Sequence, residues 1–468
     1  MKRSIAILIT LVFMGGLFSG DFNKQIWRQL SGSAFVDNVS YPVLQRICDE
    51  AGGRLVGSKQ NEKAMDILIE ELKKLGLDAK RESFNMPGWV RGDDEIKLLE
   101  PTERTLRCAA LGYVNQTPPF TAPLVNGHSG QKEILDSIDV HGKIVLIPPE
   151  KPKKGKQPLR SEVIRYAAAN GAKAVLFVNN KIGGLMRAGT FSFQGEPAPI
   201  PGFSITYEEG QWLKRLLETG KMPRLKITTR SYCTPITTAN IVATIPGKVK
   251  DKIVLGAHFD SWDFGQGGID NGNGSAILLE VARLIHQIHP QNHFTLEFVW
   301  FNGEELGLWG SKKYMEKHGN EPIAAMVNMD MTGRPTGFNA MGFDDFLPFF
   351  ETLAENLQGY NLTVGAISRS WTNSDHMPFM MQGIPTFTLT AHLDKDQGRF
   401  YHSFGDTFDK VRSDYLSQAA GVISIMVVEL ANRPQLPFQK LDKEAVTRML
   451  KKFNLDEILK RQKEWSFE

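Results

Sequence analysis

Six short stretches of this 468-residue chain carry residues suited to metal-assisted hydrolysis. They are His258-Phe259-Asp260, Asp270-Asn271-Gly272, Gly303-Glu304-Glu305-Leu306-Gly307, Asp330, Tyr401-His402-Ser403 and Asp406-Thr407. Imidazole nitrogen and carboxylate oxygen together suit a divalent ion of the zinc type. Two such ions, about 3.5 to 4 Å apart, need one bridging carboxylate, and each then needs an imidazole and a further carboxylate. Asp270 as bridge, His258 with Asp330, and His402 with Glu305 meet that requirement for two Zn2+. Glu304 is left over. It is free to take a proton from a water whose pKa zinc lowers towards about 7, and to pass that proton to a leaving amine. Asp260 can accept the second ring N–H of His258 and fix its tautomer.

Each motif alone has a plainer reading. A lone His-x-Asp is commonly a surface hydrogen bond, and a Glu-Glu pair is commonly a solvated helix start. Their order favours a metal site, because ligand-type residues follow successive apolar β-runs at 253–257, 296–301 and 324–329, where open α/β sheets place their ligands. His392 is the alternative to His402, and the other histidines, including His286, His289, His293 and His318, read as structural or exposed.

The elements that must position these residues are legible as alternating strand and helix patterns from about residue 237 onward, with helical periodicity at 275–288 and 347–357 and a further β-run at 386–389. Upstream, two helical patterns between residues 40 and 76 lead into a strand. A separate small β/α unit then follows, with β-runs at 143–147 and 174–178 and helices at 161–169 and 208–217. The last residues, 436–468, form an amphipathic helical tail that packs on the body. The fold class is α/β: a mixed, largely parallel sheet sandwiched by helices. The expected divisions are a signal peptide at 1–20, an N-terminal part of the main domain at 21–110, an insert at 111–235, the main domain at 236–435 and the tail.

Composition narrows the function. With 55 Lys and Arg against 52 Asp and Glu, spread without a basic run, nucleic acid is excluded as the expected partner. Lys2 and Arg3, an apolar run from Ile5 to Phe13 and then small residues have the order of a secretory signal, so the expected location is secreted or periplasmic. That run is too short for an ordinary spanning helix, and no later stretch reads as one, so no membrane span remains after cleavage. Cys48, Cys108 and Cys233 allow one disulfide at most and no closely spaced metal pair.

Taken in order, these motifs, with Asn328-Met329-Asp330, resemble those of the co-catalytic dizinc exopeptidases, a family of secreted aminopeptidases, glutamate carboxypeptidases and the transferrin receptor. The stretches 258–267 and 87–92 resemble the carboxypeptidase Q branch most closely. The resemblance implies His258, Asp270, Glu305, Asp330 and His402 as zinc ligands, Glu304 as general base, and a protease-associated domain as the insert. It further implies a peptide or dipeptide substrate, and it leaves a homodimer open. Asn271 stands where that branch tends to have a second Asp, while Ser374-Asp375-His376 and Gly383-Ile384-Pro385 resemble the bacterial aminopeptidases. The direction of attack thus stays open between Asp375, suited to a substrate ammonium, and Arg369 or Arg399, suited to a terminal carboxylate.

Other classes fit poorly. The chain has no Gly-x-Ser-x-Gly elbow, no complete dinucleotide glycine fingerprint and no His-Glu-x-x-His. Glutaminyl cyclisation on a related fold uses one zinc, against the two-metal set here. A receptor-like binding protein with a degraded site remains as the non-enzymatic rival, opposed by the completeness of ligands and base.

Overall fold

Alternation along the strands decides how the main sheet buries itself. In the strand Lys252–His258, residues Ile253, Leu255 and Ala257 enter a large apolar cluster on one face, and Val254 enters a smaller cluster on the other. The strand Thr295–Phe301 repeats the pattern, with Leu296, Phe298 and Trp300 on the first face and Val299 and Phe301 on the second. Strands apolar on both faces belong in the middle of a sheet that helices cover on both sides.

The computed structural model, which describes residues 22–289, 291–394, 397–436 and 440–467, has that arrangement. Eight strands lie in the order Ala79–Val90, Tyr232–Ile245, Thr295–Phe301, Lys252–His258, Ile323–Asn328, Thr386–His392, Arg334–Asn339 and Gly365–Ile367. Neighbours are parallel from Thr295–Phe301 through Thr386–His392. The strands on either side of that block pair with it antiparallel. Helices Lys24–Val36, Ser40–Arg46, Lys59–Lys74, Asn273–Ile288 and Ser413–Ala431 bury their apolar residues in the first cluster, and Trp309–His318 and Met377–Met381 contribute to the second. The expected α/β sandwich is therefore present. The signal segment 1–20 lies outside the described residues.

Two expectations change. Helix Ser413–Ala431 is long and apolar enough to cross a membrane, which the sequence reading did not anticipate, yet it lies buried in the core against Lys24–Val36 and Asn273–Ile288. The insert also begins earlier than residue 111. Its eight-stranded sheet runs Arg104–Leu106, Glu95–Glu100, Arg224–Thr229, Thr117–Asn126, Ile144–Ile147, Ala174–Val178, Gly202–Ile205 and Cys108–Ala110. Three short strands thus precede the expected boundary, and residue 235 already belongs to the main sheet. The chain leaves and returns on a single antiparallel ladder whose last pair is Val90 and Tyr232. Asp94 seals this neck by accepting from the N–H groups of Arg230 (2.7 Å) and Ser231 (3.0 Å).

The tail forms helices Lys443–Lys452 and Leu455–Arg461, which bury Val446, Met449, Leu450 and Leu459 in the large cluster. From there it reaches the insert: Arg461 pairs with Glu162 (2.6 Å), and Lys463 with Glu196 (2.8 Å).

One polar knot ties the sheet to the loop that carries Glu304 and Glu305. Asn302, fully buried, donates through Nδ2 to Asn61 Oδ1 (3.0 Å) and Thr238 Oγ1 (2.7 Å), and its Oδ1 accepts from Asn61 Nδ2 (3.0 Å). Its N–H donates to Asn240 Oδ1 (3.1 Å). An alanine there takes the Asn302 donor away from the buried Asn61 amide oxygen and the Thr238 hydroxyl, at a cost of about 1–3 kcal/mol. Urea unfolding of Asn302→Ala is expected to show that loss, and an unchanged midpoint would mean the knot contributes nothing.

Candidate metal centre and catalytic cleft

The ligand-type residues gather where the parallel strands end. His258 is the last residue of its strand, Asp330 follows the strand Ile323–Asn328, and Glu304 and Glu305 follow Thr295–Phe301 through the Asn302-Gly303 turn. His258 Nε2 lies 3.3 Å from Asp270 Oδ1 and 3.7 Å from Asp330 Oδ1. On the other side of the same carboxylate, His402 Nε2 lies 3.1 Å from Asp270 Oδ2 and 3.1 Å from Glu305 Oε2. His258, Asp270 and Asp330 form one group able to hold an ion, and Asp270, Glu305 and His402 a second, with Asp270 in both. His392 is exposed, near Asp394, and belongs to neither group.

Several groups hold these side chains in place. His258 Nδ1 sits 3.1 Å from the main-chain oxygen of Asp260 and 3.5 Å from its carboxylate. The Asp260 carbonyl is the nearer partner for the ring N–H, with its carboxylate just beyond. That carboxylate, fully buried, accepts the N–H groups of Glu304 (3.1 Å) and Glu305 (3.3 Å) and so fixes the turn that carries both. Asp406 accepts from the N–H groups of Ile269 (2.6 Å) and Asp270 (3.0 Å), and Ser374 Oγ donates to Asp330 Oδ2 (2.6 Å). Asn271 accepts from Gly274 (3.2 Å) and Met331 (3.1 Å) and donates to the Met329 oxygen (2.9 Å). A carboxylate could not make that last bond, so the Asn at this position is a structural choice.

Arg54 went unnoticed in the sequence. It is fully buried and donates to the carbonyls of Phe259, Gly52, Gln266 and Gly267, pinning the loop between His258 and Asp270. Only the folded chain brings residue 54 beside residue 259, so no local signal marks it.

The electrostatics are those of a site built for more positive charge than the protein supplies. Burial drives Glu304 well above the usual carboxylate range against the pull of His258, with Glu305, Asp330 and Asp375 adding to it, and burial raises Glu305 to about 7 against the pull of His402, with Asp270 adding to it. Burial also pushes Asp406 up to about 7, against the two N–H bonds it accepts. The imidazoles move up as well: burial opposes protonation, yet surrounding carboxylates hold His402 at about 9 and His258 well above its ordinary value. Glu305 Oε1 is buried without a hydrogen-bond partner. A buried carboxylate that has one oxygen beside His402 and the other unpaired, in a group with the shared Asp270, fits a divalent ion.

Two connected hollows of about 330 and 300 Å3 open over this centre and share Glu304, Asn373, Tyr401 and His402 as lining. The Tyr401 ring stacks on His402 at 3.7 Å between centroids. The expected substrate contacts do not line either hollow. Asp375 is fully buried, beyond reach of a substrate ammonium. Arg369 has its main chain paired with Asn339, and the Arg399 guanidinium donates to the Ile182 oxygen (2.9 Å). The cations that do line the larger hollow are Arg160, Arg165, Arg187 and Arg461. Three of these come from the insert and one from the tail, segments whose sequence carries no catalytic motif.

Residues 240–427 match the model of peptidase family M28, and residues 120–213 match that of the PA domain. The chain carries an M28 peptidase domain with a PA domain inserted into it. It is a metallopeptidase. Carboxypeptidase Q of Bos taurus is 29% identical over 430 residues, covering 89% of this chain and 90% of its own length. Aminopeptidase YwaD of Bacillus subtilis (strain 168) is 28% identical over 417 residues, covering 85% and 86%. Among solved structures, BSAP, a zinc aminopeptidase from Bacillus subtilis, superposes with a TM-score of 0.68 at 25% identity, covering 86% of this chain and 97% of that one.

A pH dependence follows for the metal-free M28 domain. Carboxyl groups raised by burial and imidazoles raised by carboxylates both make the folded state hold more protons than the unfolded chain, so stability falls as pH rises between the usual carboxylate range, about 4, and about 9. A divalent ion displaces those protons and is expected to flatten the profile. Denaturant unfolding of chelator-treated protein at pH 5.5, 7 and 8.5 should show decreasing stability. Metal at about 100 times its dissociation constant should add about 2.7 kcal/mol for each ion bound. A metal-free profile that rises with pH over this range would contradict the charge assignment.

Proposed function

We propose that this metallopeptidase is an exported exopeptidase that hydrolyses dipeptides or short peptides, holding two zinc ions on His258, Asp270, Glu305, Asp330 and His402. The observation that carries the reading is the pair of three-residue groups that share Asp270. When bound, zinc supplies Lewis-acid polarisation of the scissile carbonyl and lowers the pKa of a nearby water.

The chain's own residues do the rest. Glu304, which lines both hollows and lies 3.9 Å from His258 Nε2, takes the proton of the attacking water at its carboxylate and delivers it to the departing amine. Burial, which raises its pKa, suits it to that second, acid role. Asp260 acts through others: its carbonyl orients the His258 ring, and its carboxylate holds the Glu304-Glu305 turn. Hollows of about 300 Å3 suit a small ligand.

We favour a substrate with a free C-terminus, as in carboxypeptidase Q-like enzymes. A general aminopeptidase is the second reading, supported by the nearly equal similarity to aminopeptidase YwaD. Comparing a dipeptide with its N-acetylated form and its C-terminal amide separates them. Cleavage of the amide, with none of the N-acetyl form, would make the enzyme an aminopeptidase.

The adjacent glutamates give the sharpest test of mechanism. Glu304→Gln is expected to retain zinc and lose on the order of 10²–10⁴-fold in kcat, because an amide cannot accept the proton. Glu305→Gln should instead lower metal content. Equal metal content and equal rates in the two variants would refute the division of roles.

A further inference from the structure

The C-terminal tail lies outside both family matches, which cover 120–213 and 240–427, yet it touches each of the matched domains. Its helices bury Val446, Met449, Leu450 and Leu459 in the large cluster of the peptidase core. Residues 461–464 then reach the PA domain. Arg461 grips both oxygens of Glu162 (2.9 and 2.6 Å) and donates to the Gln157 carbonyl (3.0 Å). Lys463 donates to both oxygens of Glu196 (2.8 and 3.0 Å). Glu464 joins three parts of the molecule: it accepts from Gln194 Nε2 of the PA domain (2.7 Å) and from Lys312 Nζ of the peptidase helix Trp309–His318 (2.5 Å), and Lys312 also donates to the Phe193 carbonyl (3.1 Å). Exposed ion pairs contribute little, so Arg461–Glu162 and Lys312–Glu464, with side chains 12% to 21% exposed, hold this attachment more firmly than Lys463–Glu196, at 51% and 43%.

Three of the partners, Phe193, Gln194 and Glu196, stand in one segment. Between the strands Ala174–Val178 and Gly202–Ile205, residues 179–201 form no helix or strand and make a single β-bridge, from Thr190 to Gly112. A connection of that length without secondary structure of its own is commonly a lid or a binding loop. Residues 187–194 line the larger hollow beside Glu304, Glu305 and His402, and Arg461 and Gln462 of the tail line the same hollow. The Ala188 N–H donates to the His402 carbonyl (2.8 Å), so the segment is held to a ligand-type histidine at one end and to the tail at the other. At about 330 Å3, the hollow lies at the small end of ligand pockets, which run from about 300 to about 1,000 Å3.

We propose that residues 461–464 of the tail determine the length of substrate the enzyme accepts, by latching segment 187–196 over the larger hollow so that a dipeptide fits inside and a longer chain must first displace the latch. This rests on the exopeptidase reading above. Leu459 before the latch and Phe467 after it are both buried in the peptidase cluster, so the strap stays in place while the segment that it holds can lift. Such local opening takes less free energy than unfolding the domain. A longer peptide reaches Glu304 only in the fraction of molecules whose latch is open, and its kcat/KM falls in proportion to that fraction.

The test uses the zinc-loaded full chain with alanyl-leucine and penta-alanine, in the parent, in Arg461→Gln, and in Arg461→Gln combined with Glu464→Gln. The parent should favour the dipeptide. In the double variant the ratio of kcat/KM for penta-alanine to that for alanyl-leucine should rise roughly 10-fold, as the open fraction rises by that factor. Arg461→Gln alone should move the ratio the same way by less, which keeps the test available if the double variant does not fold. Hydrogen exchange gives a readout without turnover: the Ala188 amide should exchange faster in the variants by about the same factor, while amides of the strand Lys252–His258 keep the parent's rates. Unchanged exchange at Ala188 would leave the tail as structural support and overturn the latch. Equal kcat/KM for the two peptides in the parent, or an unchanged ratio in the variants, would overturn the length assignment. A protein that cleaves neither peptide would fail the exopeptidase reading, and exchange at Ala188 would then decide the latch by itself.

Discussion

Excess buried negative charge at one edge of a parallel sheet is the constraint on which the rest of this structure depends. Asp260, Asp270, Glu304, Glu305, Asp330 and Asp406 crowd around two imidazoles and the Arg54 guanidinium, which cannot balance them all as carboxylates. Without an ion the folded chain must retain protons there, and a divalent cation releases them. The surrounding architecture reads as support for that arrangement. Strand ends present the ligands, Asp260 and Asp406 grip the main chain beside them, and the buried Arg54 spends its donors on loop carbonyls instead of pairing with an acid.

The candidate metal centre was legible in part because His258, Glu305 and Asp330 stand at or just after apolar β-runs, and parallel strands carry such positions to one edge, whereas Asp270 and His402 stand in loops that return to that edge. The separate roles proposed for Glu304 and Glu305 were legible for a related reason. Neighbouring residues at a turn face different ways, and here the Glu305 side chain turns inward to His402 while Glu304 lines both hollows. The large core was visible as strand and helix patterns, although Ser413–Ala431 escaped because its serines, glycine and glutamine interrupt the apolar run.

What sequence could not supply was tertiary juxtaposition. Asp375 follows a serine that holds Asp330, yet its own side chain points into the interior, and nothing local records that direction. Arg369 and Arg399 lie close in sequence to site motifs but away from the cleft. Arg160 and Arg187 sit in a segment with no catalytic signature and reach the centre only because the second sheet folds back over the first. Arg54 belongs with them, since three of its carbonyl acceptors, on Phe259, Gln266 and Gly267, lie more than two hundred residues downstream.

The PA domain hangs from a narrow neck at Val90 and Tyr232, an attachment that by itself would suit an interchangeable module. Its far side contradicts that. The Ala188 N–H donates to the His402 carbonyl (2.8 Å), and the Phe193 main chain lies so close to Gly307 that a side chain there would collide at 2.7 Å. Evolution therefore cannot exchange this insert as it exchanges a loop, because any replacement must reproduce a backbone bond to a ligand-type histidine and leave room at a glycine in the other half of the molecule. The two halves therefore meet at a second place besides the slender strand pair that joins them.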